Sequence, residues 1–227
     1  MKKFLGKIGY FLLGLMGLCA VICGVVYPSI TSKSTMAEGF TECARAQDFE
    51  LKGSFSDYAG ALTEYLTGKT ETCALNGEAL FNDKENTHLA DVRGIYKGIS
   101  TTRICCGGLF LVCAGALYLM KKGNKEQLYR EGLRGLSAAC IGLFSALIGL
   151  VIWGLIDFDG LLYTFHLVFF TNDLWLLNPQ TDLLVALMPT SFFIYYGKKL
   201  LIALLPVLLC MIALPIAQFK LMKEEKK

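Results

Sequence analysis

The chain has 227 residues, 54% of them hydrophobic, and its 22 Lys and Arg against 19 Asp and Glu leave a net charge of only +3. A mean hydropathy of +0.50 is too high for an ordinary water-soluble domain, and so small a net charge gives no basis for a nucleic-acid partner. What remains is an α-helical integral membrane protein.

Four stretches reach the roughly 17–25 apolar residues that carry a helix across about 30 Å of hydrocarbon. Residues 1–27 form a basic N-terminus (Lys2, Lys3, Lys7) and the first span, whose apolar run is Phe4–Val26. The run is long, and V-Y-P-S-I-T-S is a poor small-x-small cleavage site, so it reads as an uncleaved anchor. Residues 28–103 are polar and mixed in charge, and they read as a small cap. Within them D-Y-A-G-A-L-T-E-Y-L places Tyr58, Leu62, Tyr65 and Leu66 at helical spacing. Asn82 with Glu85 three residues later matches an N-cap and its reciprocal partner, so a helix is expected to start there. Glu85, His88 and Asp91 then share one face.

The second span covers 104–120, and a basic loop covers 121–135, with five basic residues against two acidic ones. The third span is 136–156. Residues 157–199 follow, with four aspartates and no Lys or Arg before Lys198. A connection this long is functional or disordered, and its many aromatic side chains favour a segment lying in the membrane interface. The fourth span is 200–219, containing Pro206 and Pro215, and a basic tail closes the chain at 220–227. The Lys and Arg asymmetry predicts both termini in the cytoplasm, with 28–103 and 157–199 outside. Lys198 and Lys199 sit at the outer end of the fourth span against that rule, and are tolerable as snorkelling side chains or anionic-lipid contacts.

Seven of nine cysteines fall in or beside apolar stretches, where small soft side chains pack inertly. Cys43 and Cys73 lie in the outer segment; a disulfide and two free thiols both stay open. The spans carry no Asp or Glu, which argues against an aspartic intramembrane protease and against ion-coupled transport.

The candidate chemistry rests on two histidines, His88 and His166, the only ones in the chain. Each has carboxylates at helical or turn spacing: Asp91 for His88, and Asp173 or Asp182 for His166. A neutral imidazole held by a carboxylate is the usual general base near pH 7. A surface histidine and a solvated interfacial histidine are the bland readings. Glu85-x-x-His88 is also a spacing used in carboxylate metal sites, but Glu85 already has a capping role and no H-E-x-x-H is present; no metal is expected. Asp182 reads equally as the N-cap of a following helix, and Asn172 and Asp173 as turn formers. No serine carries a nucleophile-elbow motif.

The block F-H-L-V-F-F-T-N-D-L-W-L-L-N-P-Q-T-D-L-L, followed by M-P-T-S-F-F, closely resembles the signature of the bacterial lipoprotein intramolecular transacylase family. D-Y-A-G-A-L-T-E-Y-L and E-N-T-H-L-A-D-V agree with it, so the resemblance covers essentially the whole chain. It departs at Thr190, where an acidic residue is expected. The resemblance implies transfer of the sn-2 acyl chain of a diacylglyceryl lipoprotein onto the α-amine of its own N-terminal cysteine, with His88 and His166 catalytic. Ester to amide is downhill, so no cofactor is expected. The expected partners are diacylglyceryl lipoprotein and membrane phospholipid. The role of base is open between the two histidines. Asn172 is a candidate oxyanion donor. Phe165, Phe169, Trp175 and Tyr65 are candidate pocket walls, and Arg93 is a candidate partner for a lipid phosphate or a carboxylate. Two other readings are a non-enzymatic assembly or sensor protein and a lipid-ester hydrolase.

Overall fold

The computed structural model describes residues 2–120 and 123–224. Lys121 and Lys122 of the expected basic loop and Lys226 and Lys227 of the expected tail lie outside the described residues. The elements in chain order are α1 (Lys2–Ile30), α2 (Lys33–Cys43), α3 (Phe55–Leu66), β1 (Ala74–Leu75), β2 (Glu78–Ala79), α4 (Asp83–Met120), α5 (Lys125–Ile156), α6 (Phe158–Phe169), α7 (Leu183–Leu187) and α8 (Thr190–Glu224). Among the described residues, α1, α4, α5 and α8 are long and apolar enough to cross a membrane. The chain is a multi-pass α-helical membrane protein.

It divides into two units. The first holds the described residues up to Val25, Ser100–Ile152 and those from Leu204 onward. Its buried centre is small, formed by Leu18, Ala139, Cys140 and Met211. Large apolar side chains such as Leu111, Leu119, Ile141 and Leu209 point outward, as expected where lipid is the solvent. With no hydrophobic drive between helices in lipid, association relies on close van der Waals packing at small residues. Gly135 of α5 meets the backbone of Tyr10 on α1 so closely that a Cβ would lie 2.5 Å from it, and Gly14 meets Leu136 in the same way at 2.8 Å.

The second unit holds Val26–Ile99 and Trp153–Ala203. Ser54 and Asp57 form a reciprocal capping box at the start of α3, and the predicted stripe of that helix is buried at Tyr58, Leu62, Tyr65 and Leu66. Phe40 stacks on Phe192 with ring centroids 5.3 Å apart, over Gly39, where a Cβ would meet the Phe192 ring at 2.8 Å. A two-residue hairpin at Ala74–Ala79 turns on Asn76 (φ 52°) and Gly77 (φ 84°), the pair that a type I′ turn favours. Cys43 and Cys73 are free thiols, and burial pushes the Cys73 thiol up to about 12, so it stays protonated.

All four long helices outrun their expected limits; α1 continues to Ile30, and α8 starts at Thr190, inside the stretch expected to be an interfacial segment. α4 runs unbroken through 38 residues, where a cap helix and a separate span at 104–120 were expected. Gly94, Gly98, Thr101 and Thr102 are weak helix formers, each disfavouring the helix by up to about 1 kcal/mol, and none is a proline. α5 starts at Lys125, inside the stretch expected to be loop, and its polar first turns are supported by the Glu126–Arg130 pair at 2.6 Å.

The glycine contact gives a test. Gly135→Val should place side-chain atoms against the Tyr10 backbone and destabilise the protein by about 1–3 kcal/mol. Gly142→Val, where nothing lies within 4 Å of the added Cβ, should be neutral. Thermal unfolding in detergent measures both.

Candidate active site

The first turn of α4 begins at the predicted capping box. Asn82 Oδ1 accepts from Glu85 N at 2.9 Å, and Glu85 Oε2 accepts from Asn82 N at 2.8 Å. Glu85 is buried, 2% exposed. Its second oxygen, Oε1, accepts from Leu184 N in the first turn of α7 at 2.6 Å. Glu85 therefore caps α7, one of the two tasks open to Asp182. Asp182 occupies the N-cap position of α7 but makes no side-chain capping bond. Its oxygens instead accept from Asn82 Nδ2 at 3.0 Å and from Asn178 N at 2.7 Å.

Two turns along the same face, Asp91 Oδ2 accepts from Asn172 Nδ2 at 2.9 Å. His88 lies between these anchors and is buried, and its Nδ1 has no hydrogen-bond partner. Asp91 does not bond to the imidazole as expected; its partner is Asn172. Asn172 Oδ1 also accepts from Leu174 N at 3.1 Å, so the amide is held on both sides.

His166 comes from α6. Its Nδ1 lies 2.7 Å from the Leu162 carbonyl oxygen one turn earlier. A carbonyl only accepts, so the proton sits on Nδ1 and Nε2 carries the lone pair. Neither Asp173 nor Asp182 holds this ring; Asp173 is exposed. The two imidazole centroids are 6.0 Å apart. Trp175 stacks on His166 at 4.8 Å, and Phe165 meets it edge-on at 5.6 Å. Phe170 touches both rings, 5.0 Å from His88 and 5.5 Å from His166.

Phe169, the aromatic expected at the pocket, instead pairs with Phe165 at 4.6 Å and is exposed. The helix ends there, and the extended backbone at Phe170 (φ −121°, ψ 135°) turns the next ring inward. Arg93 lays its guanidinium over Tyr65 at 4.9 Å and pairs with Glu71 at 3.3 Å; neither Arg93 nor Tyr65 bonds or stacks with an imidazole. Thr190 donates to Asp159 at 2.8 Å. Glu85, Phe170 and Tyr163, which meets Trp175 edge-on at 5.4 Å, were not among the predicted site residues. The E-x-x-H spacing and the doubled F-F were the available signals for the first two.

Burial pushes the His88 imidazole down to about 4, with the neighbouring His166 adding to the effect and Asp91 opposing it. Burial also lowers His166, opposed by its bond to Leu162. The turn carrying His88 lies outside the apolar 104–120 stretch of α4. Among the described residues no three His, Cys, Asp or Glu side chains converge as a metal site would require.

Two imidazoles in an aromatic setting on a helical membrane scaffold are equipped for proton transfer at an apolar boundary. The sequence comparison gives the class: the family model of the lipoprotein intramolecular transacylase Lit matches residues 8–193, and the chain belongs to that family. Solved structures of the membrane-integral Lit from Bacillus cereus share its fold. One covers 98% of this chain and 97% of its own at 18% identity, with a TM-score of 0.64. Another, with a histidine replaced by arginine, covers 99% and 96% at 16% identity, with a TM-score of 0.66. A third, with a histidine replaced by alanine, covers 99% and 97% at 17% identity and the same score. A comparison with curated protein sequences finds no match.

With two histidines in the chain, selective ¹⁵N-imidazole labelling reads the site directly. At pH 7 both rings should be neutral and His166 should show the Nδ1–H tautomer, with proton uptake below the usual 6.5 for His166 and near 4 for His88. The sign follows from linkage: a lowered folded value makes each ring's stability contribution complete above about 6.5 and lost as pH falls through the folded value. Separately, Glu85→Ala strands Asn82 N and Leu184 N, and should lower stability by about 1–3 kcal/mol per donor left buried, measured by thermal unfolding.

Proposed function

We propose that this acyltransferase moves the sn-2 acyl chain of a diacylglyceryl lipoprotein to the α-amine of the lipoprotein's own N-terminal cysteine, giving the lyso-form with an N-acyl chain and a monoacylglyceryl group. The observation that carries the assignment of roles is the His166 tautomer. With Nδ1 donating to Leu162, Nε2 is free to take the proton that the neutral amine loses as its nitrogen attacks the ester carbonyl. The C–N bond forms, the tetrahedral oxyanion collapses, and the C–O bond to glycerol breaks. The proton held on His166 then passes to the departing glyceryl oxygen, so the step balances without a co-reactant. His88, kept neutral by burial, serves as hydrogen-bond donor to the oxyanion.

Donor and acceptor belong to one substrate molecule, so orientation dominates; it supplies up to about 7–11 kcal/mol of a barrier when reacting atoms are held in register. Trp175, Phe165 and Phe170 fix the imidazole planes and keep the setting poor in water, which favours the amine over water as nucleophile. Asp91 and Asn172 are positioning residues in this scheme, since each acts through the other on the backbone that carries a histidine.

The Lys and Arg distribution supports a site on the extracellular face, with both termini cytoplasmic, 28–103 as a cap and phospholipid as the surrounding partner. Ester chemistry on a lipid belongs at that boundary, where glyceryl esters lie between tails and headgroups.

His88→Ala and His166→Ala should each lower transfer by about 10²–10⁴-fold while leaving the protein folded. Mass spectrometry of one lipoprotein, made in a host without other N-acylating activity, checks this. With the unmodified enzyme the mass stays constant and fragmentation moves one acyl chain from glycerol to the N-terminus. Loss of one acyl chain would mean hydrolysis, and full transfer in both variants would remove the histidines from the mechanism.

A further inference from the structure

A cleft in the same unit is not used by the proposed chemistry. It encloses about 320 Å³ and is lined by Ser29, Ser32, Thr35, Tyr196, Lys199 and Leu200 together with three apolar neighbours. Lys199 Nζ is held 3.1 Å from Glu38 Oε2, which also accepts from the Tyr195 hydroxyl at 2.9 Å. These bonds fix the ammonium at the rim while leaving 48% of its side chain exposed. Lys198 beside it is exposed, and its side chain has no ion pair or hydrogen bond among the described residues. With Lys199 paired to Glu38, Lys198, next in the chain to a lining residue, leaves one net positive charge beside the cleft. On the wall, the Tyr196 hydroxyl is buried without a partner.

The cleft's place in the chain decides what it meets. Pro28 to Ile30 close α1, and Tyr196 to Ala203 fall in the second to fourth turns of α8, around residue 200 where the fourth span was expected to begin; both helices are long and apolar enough to cross the membrane. Side chains at the ends of such helices face lipid headgroups, whichever leaflet is involved. A singly charged phosphodiester matches the rim, hydroxyls of a polar headgroup match Ser32 and Thr35, and the apolar wall suits the glycerol and first methylenes. We propose that this cleft binds the headgroup of an anionic phospholipid such as phosphatidylglycerol, with Lys199 and Lys198 as its phosphate partners. The lysine pair that stands against the charge rule at the start of the fourth span is then a set of ligand groups rather than a topology signal.

The test uses the full-length protein in nanodiscs of phosphatidylcholine containing a minority of phosphatidylglycerol, with the lipid retained after detergent extraction counted by mass spectrometry. The unmodified protein should retain phosphatidylglycerol in preference to phosphatidylcholine. Lys198→Gln and Lys199→Gln should each reduce that retention about fivefold, the effect of one basic side chain near a charged surface. Glu38→Gln keeps both lysines and removes the opposing charge, so it should raise retention. That opposite sign separates charge recognition from a structural role of the rim, which both kinds of change would weaken alike. The Lys198 side chain makes no bond among the described residues, so its variant reports even if Lys199→Gln misfolds. Equal retention in all variants, shifts of one sign throughout, or complete displacement of the lipid by inorganic phosphate would overturn the proposal.

Discussion

The geometry of the site depends on one buried carboxylate. Glu85 accepts from two backbone N–H groups, one opening its own helix and one opening α7, and the second lies 99 positions along the chain. A carboxyl buried to this degree is tolerable only with its oxygens bonded, and the two donors are themselves first-turn groups that have no intrahelical acceptor. Each side satisfies the other. The result fixes the register of α4 against the 172–187 segment, and Asp91 to Asn172 fixes it again two turns later. Between two such anchors the His88 side chain has little freedom, although neither anchor hydrogen-bonds to its Nδ1.

That arrangement explains why the carboxylates of the site do not act on the imidazoles directly. An aspartate bonded to His88 would favour its charged form and raise its proton affinity. Here Asp91 spends its oxygen on Asn172, while burial and the neighbouring imidazole keep His88 neutral. His166 is oriented by a main-chain carbonyl of its own helix, a partner without charge. Two neutral rings 6.0 Å apart can divide the work of proton acceptor and hydrogen-bond donor. Two imidazolium rings at that distance would repel.

Much of this was legible in the sequence, and the failures have physical reasons. The α3 stripe and the Asn82–Glu85 box were readable because both are local patterns with a fixed spacing. His88 and His166 were readable because they are rare and sit beside carboxylates. The destination of each carboxylate was not readable: i, i+3 spacing says that Glu85 and Asp91 share a face with His88, but not that they reach outward to residues 99 and 81 positions away. The inward ring is Phe170 rather than Phe169 because α6 stops one residue earlier than its apolar run, a boundary that composition does not mark. The unbroken α4 was hidden by a change from polar to apolar composition, which looks like a boundary although the backbone bonds continue through it. The open question of Cys43 and Cys73 closes on free thiols, both packed among apolar side chains.

The two units are held together internally by different forces, and this sets where change can be absorbed. In the first, apolar side chains face lipid and the specific contacts are glycine against backbone, so an outward Leu to Ile exchange touches little while a methyl group at Gly135 touches the neighbouring helix. In the second, the specific contacts are hydrogen bonds among Asn82, Glu85, Asp91, Asn172 and Asp182, with aromatic rings packed around them. Removing the Asn82 side chain takes a donor from the buried Asp182 carboxylate and an acceptor from Glu85 N, so the loss is not confined to one pair. Sequence drift should therefore be cheap across the spans and expensive around the histidines. The fold itself persists at 16–18% identity to solved structures, as packing of apolar spans against lipid allows.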